Sequence, residues 1–212
     1  VASGAPAGLE RGLAPRPPLP GADREIARIA ALMRRQKARA PLVLTGPAAT
    51  EAAVRSLDLS GTGVLLFATH ALAAGAIDAT SEPALLLSPP DHPQADDDGL
   101  LTASEAATLR TDAQWVILSA CDTAGGDAPD GASYSGLARA FLFAGARRVV
   151  ASHWPVRDDI SARISYDLVR GARGRTRPDE ALRRAMLGVM RDSRLPDARN
   201  PAIWAPFTVM TR

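Results

Sequence analysis

Two side chains in this sequence could together do nucleophilic chemistry. Cys121 is the only cysteine of the chain, and His70 is one of three histidines. Each closes a short apolar run, His70 after Val64 to Thr69 and Cys121 after Trp115 to Ala120. A thiol attacks a carbonyl as its thiolate, and a neighbouring imidazole can take the thiol proton and return one to the leaving amine. Imidazole suits both tasks because its reference pKa, about 6.5, lies near working pH. Taken singly, a lone cysteine is more often a buried small hydrophobe and a lone histidine a structural one. Their shared placement at the ends of apolar runs is what points to function.

The elements that must position this pair can be read from the same runs. Pro41 to Thr45, Gly63 to Thr69, Trp115 to Ala120 and Arg148 to Ser152 lack alternation and are closed by turn or polar residues, as in strands buried on both faces of a parallel sheet. Ala84 to Leu87, between Pro83 and Pro89, reads as a peripheral strand, and Trp204 to Met210 as a final one. Helical spacing places helices at about 22–39, 102–110, 134–145, 158–171 and 178–192. Alternating strands and helices predict a doubly wound α/β sheet with helices on both faces. Ligand sites in such sheets lie at the carboxyl ends of the strands. If the two runs are neighbouring parallel strands, about 4.8 Å apart, His70 and Cys121 meet at one edge.

Residues 1–21, rich in Gly, Ala and Pro, read as a lead-in loop, and 22–212 as one folded domain. Ser88 to Gly99, with three prolines and the aspartates 96 to 98, reads as an exposed loop. The net charge is +2, Lys37 is the only lysine, and the arginines scatter over predicted helix faces, so nucleic acid is not an expected partner. No apolar run reaches the roughly 18 residues of a membrane span. A single cysteine excludes an intrachain disulfide and favours a reducing compartment, the cytoplasm. A start at Val1 without Met reads as a piece of a longer polypeptide, so other domains of a parent chain are expected partners. Three histidines and one cysteine dispersed along the chain predict no metal site, and no cofactor is expected. Gly125-Gly126 lacks the Lys-Ser/Thr of a phosphate loop, and Ser133 and Ser135 lack the frame of a hydrolase elbow.

Six segments in order carry a resemblance: Leu66 to His70, Leu118 to Thr123, Gly136 to Phe141, Ala144 to Arg147, Val150 to Pro155 and Trp204 to Phe207. They resemble the CHAT family of caspase-like cysteine peptidases, a likeness that runs from about Leu19 to Met210. The resemblance implies a caspase-hemoglobinase fold with strand order 2-1-3-4-5-6 and an antiparallel last strand. It puts the Pro41 run second, so the first strand is expected at or before Val1. It also implies cleavage of a protein or peptide substrate through an acyl-enzyme, with His70 and Cys121 catalytic. The backbone N–H groups of Ala71 and Cys121 would form the oxyanion hole, and Ser152, His153, Trp154 and Asp158 would bind substrate.

Three departures bear on that reading. Ala71 stands where the family usually has Gly; if the site needs a left-handed backbone, Ala costs about 1 kcal/mol and weakens the oxyanion hole. On that premise Ala71→Gly should speed turnover, and a catalytically silent interaction module is the alternative function. His153 replaces a usually apolar residue, as a pocket-lining or a surface imidazole. The loop after His70 is short and Ala-rich. Asp158 and Asp159 either lend negative charge to a specificity pocket or cap the following helix.

Overall fold

The computed structural model describes residues 2–3, 19–35, 40–75, 81–90, 97–119, 133–154, 156–171 and 177–212. The strands are β1 (Ala2–Ser3), β2 (Leu44–Thr45), β3 (Val64–Phe67), β4 (Ala71–Leu72), β5 (Ala84–Leu86), β6 (Leu100–Thr102), β7 (Trp115–Leu118), β8 (Arg148–Ser152) and β9 (Phe207–Thr211). The α-helices are α1 (Pro20–Arg35), α2 (Glu51–Arg55), α3 (Ala103–Thr108), α4 (Ser133–Phe143), α5 (Asp158–Gly171) and α6 (Pro178–Met190). This is an α/β architecture with a mixed, mostly parallel sheet. Its six strands lie in the order β2-β1-β3-β7-β8-β9, with only β9 antiparallel to its neighbour.

Strand periodicity divides the core in two. Leu65, Phe67, Val116, Leu118, Val149 and Ala151 face one side, where they pack with Leu137 and Phe141 of α4 and Ala106 of α3. The rings of Phe67 and Phe141 lie 5.3 Å apart. Leu66, Trp115, Ile117 and Val150 face the other side, against Ile29 of α1, Ile160, Ile164 and Leu168 of α5, and Leu182, Ala185 and Val189 of α6. Burial on both faces explains why these strands are continuous apolar runs without alternation.

Several expectations are corrected. The expected single sheet leaves out a second, antiparallel sheet, β4-β5-β6. The run at Ala84 is not peripheral: β5 is the middle strand of that sheet and wholly buried, because it pairs with β4 on one side and β6 on the other. A strand, β1, lies at Ala2–Ser3 inside the presumed lead-in loop rather than at or before Val1, and α1 begins at Pro20. The segment from Ser88 to Gly99 is not simply an exposed loop. Ser88 is buried, with its N–H bonded to Ala49 C=O and its hydroxyl to Gly46 C=O, and Asp98 and Gly99 are buried too.

Candidate active site

From Phe67 at the end of β3 the chain runs through Ala68 and Thr69, both fully buried, to His70, which is 2% exposed. Two bonds tie this segment to β5. Leu86 N–H donates to His70 C=O at 2.9 Å, and the Thr69 hydroxyl donates to Leu86 C=O. His70 is thereby held by its backbone at the carboxyl end of β3, between the two sheets.

The neighbour of β3 is β7, the strand that leads toward Cys121. Their parallel ladder pairs Val64 with Trp115 through Phe67 with Leu118, an offset of 51 (118 − 67), and Ser119 N–H extends it by donating to Phe67 C=O at 2.8 Å. His70 and Cys121 are separated in sequence by the same 51 positions (121 − 70). Residues 120–132 lie outside the described residues, and with them fall Cys121, its amide, the Gly125-Gly126 pair and the distance between thiol and imidazole.

Ala71 is the first residue of β4, 1% exposed and paired with Leu85. It is extended, so the premise of a left-handed backbone at this position is overturned. The bond between Leu86 N–H and His70 C=O makes those two residues a hydrogen-bonded pair, so by the alternation of an antiparallel ladder Ala71 and Leu85 form the next, non-bonded pair. The Ala71 N–H therefore points away from β5.

The four residues expected to bind substrate lie at or after the end of β8. Ser152, its last residue, is buried and pairs with Phe207 of β9. His153 is exposed, and its backbone N–H already donates to Pro206 C=O at 2.9 Å. Trp154 is 41% exposed and spends its indole N–H on Ala202 C=O at 2.9 Å. Asp158 and Asp159 both begin α5 but part ways: Asp159 pairs with Arg157 at 2.7 Å, while Asp158 is half-buried beside Glu25 and Ser119.

Glu25 is the residue that sequence reading missed. It is 4% exposed, and its Oε2 accepts from the Ser119 hydroxyl at 2.8 Å, whose oxygen also lies 2.8 Å from Ser161 Oγ. Burial pushes its carboxyl up to about 7; the hydroxyls of Ser165 and Ser119 oppose the shift and the charge of Asp158 adds to it. The signal was available, since Glu25 stands four residues before Ile29 and three after Ala22, on the apolar face of α1. Gly21 lets this helix approach α5, because a Cβ there would lie 2.6 Å from the Cβ of Asp158. Among the described residues, no group of three or more His, Cys, Asp or Glu could hold a metal ion, and no helix is long and apolar enough to cross a membrane.

A layered α/β domain in which a buried histidine ends one strand, beside the strand that leads to the single cysteine, is the class that this fold and edge define. The chain belongs to the CHAT domain family, whose model matches residues 1–212. No curated protein matches it.

Proposed function

We propose that the chain is a cysteine endopeptidase of the caspase-like kind, with Cys121 as nucleophile and His70 as acid and base. Adjacency of β3 and β7 carries this reading: the ladder offset equals the His70-to-Cys121 separation, so both residues follow neighbouring parallel strands by the same number of steps. His70 takes the Cys121 proton and the thiolate adds to the scissile carbonyl. The Ala71 and Cys121 amides hold the resulting oxyanion. Collapse expels the amine with the proton from His70, and water then cleaves the thioester and restores the thiol. Ser152, His153, Trp154 and Asp158 flank the substrate at the same edge.

The alternative, a silent interaction module, has the Ala71 departure as its best support, and an extended backbone at Ala71 weakens that support. The test is labelling with a peptide-based thiol-reactive probe, comparing the parent with Cys121→Ala and His70→Ala. Labelling lost in both variants supports the peptidase. Labelling that survives His70→Ala marks an ordinary exposed thiol and overturns it.

A further inference from the structure

We infer that Glu25, with Asp158, forms the floor of a substrate pocket that takes a primary ammonium group, which makes the peptidase selective for lysine at the residue whose carbonyl is attacked. The inference rests on the peptidase reading for its substrate and on the pocket alone for its ligand chemistry.

The pocket is lined by Leu19, Ala22, Glu25, Ser119, Asp158 and Ser161. It sits at the carboxyl edge, because Ser119 is the residue after β7 and precedes Cys121 by two positions. Its polar wall consists of two carboxyl groups and two hydroxyls. Of the two Glu25 oxygens, Oε2 accepts from Ser119, whereas Oε1 is buried and makes no hydrogen bond of normal geometry among the described residues, the Ser165 hydroxyl being near enough only to favour the charged carboxyl. A buried acceptor left without a donor costs free energy that a ligand donor can recover. A cation recovers more, since a positive charge beside Glu25 favours the ionised carboxylate against burial, the main cause of its raised pKa, and against the charge of Asp158.

Size selects among cations. The cavity volume is about 10 Å³, enough for about one water-sized group. An ammonium head has those dimensions and three donors to distribute over Glu25, Asp158 and the serine hydroxyls; a planar guanidinium is larger and demands a flat, bidentate partner. The cavity holds the head alone, so the alkyl stem would lie outside it, with Leu19 and Ala22 as the apolar members of the lining.

Two arms test the inference, one of which needs no catalysis. In the first, the Glu25 carboxyl is followed by carbon-13 NMR in the intact chain while n-butylammonium is added, with n-butanol and methylguanidinium as controls. The expected result is a fall of about one unit in the Glu25 midpoint with the amine alone, abolished in Asp158→Asn. In the second, peptides differing only at the attacked residue compare lysine with norleucine, its isostere without the ammonium. Lysine should be favoured by at least about tenfold in kcat/KM, with the lysine-to-norleucine ratio falling to about one in Glu25→Gln. Amine binding without cleavage of any peptide upholds the pocket and overturns the peptidase. Cleavage without a lysine preference, or a Glu25 midpoint that ignores the amine, overturns the pocket and leaves the peptidase standing.

Discussion

At position 71 the question is what a methyl group does to a backbone that must present its N–H to a developing oxyanion. In an extended strand it does no harm. Ala71 is buried against its neighbours, and a glycine there would add unfolded-state freedom and remove apolar contact. Ala71→Gly should therefore lower stability by about 1–2 kcal/mol and leave peptide turnover equal or slower, as urea denaturation and a single-substrate assay would register. Glu25 makes the second prediction at this scale. Its carboxyl stays protonated in the folded chain up to about pH 7, whereas an unfolded glutamate ionises near 4.5. Folding then binds the extra proton, so the Glu25 contribution is fully present below pH 4.5, is lost as pH rises to about 7, and amounts to roughly 3 kcal/mol at most. Glu51 is shifted in the same direction, by burial first and the charge of Glu105 second, and it adds to the slope. Urea midpoints measured from pH 4.5 to 8 should fall less steeply in Glu25→Gln than in the parent; parallel curves would remove Glu25 from the account. His70 was legible in the sequence because a strand end announces itself by a break in an apolar run. Glu25 was marked only by its spacing to Ala22 and Ile29 on the apolar face of α1, and what it does there depends on Ser119 and Asp158, partners that the helix pattern alone does not reveal.

The elements around the edge were readable where local chemistry specified them and misread where a distant partner decided. Thr102 and Glu105 form a reciprocal capping box at the start of α3, a signature visible in four residues. β5 has no such local mark. Its flanking prolines suggested an edge, but pairing with β4 and β6 makes it central, and β4 and β6 are too short to announce themselves. The turn from α4 to β8 is the tightest test of local geometry. Gly145 has φ +114, and a Cβ there would stand 2.0 Å from Thr111 C=O, whose N–H in turn bonds Ala144 C=O at 3.0 Å. No rotamer relieves a clash with backbone. Gly145→Ala should cost about 3 kcal/mol or more in chemical denaturation. Gly171→Ala, at the end of α5 with nothing within 4 Å of the added Cβ, should change stability by less than about 1 kcal/mol and serves as its control.

For the molecule as a whole, the same central strands supply both halves of the core. β3, β7 and β8 send alternate side chains to opposite faces, so neither face can lose its packing without disturbing the strands that carry the other. The apolar runs made this two-sided burial legible, and with it the layered α/β class. The order of the strands was not contained in those runs and came from the resemblance alone. The arginines scattered on the outer helices also behave as their spacing suggested: Arg163 pairs with Asp192, Arg170 with Asp167, and Arg184 with Glu180, so much of their charge is met locally. Shared strands have a measurable consequence. Trp115 is buried in the face covered by α1, α5 and α6, and Trp204 packs against that face, whereas Phe141 belongs to the opposite one. Phe141→Ala should destabilise by about 3–5 kcal/mol, the usual cost of emptying a buried aromatic site. If the two faces unfold together, the shift will be the same whether followed by tryptophan fluorescence or by far-ultraviolet circular dichroism. A tryptophan transition that stays in place while the dichroism transition moves would mean that the two faces melt separately, and that the shared strands do not couple them.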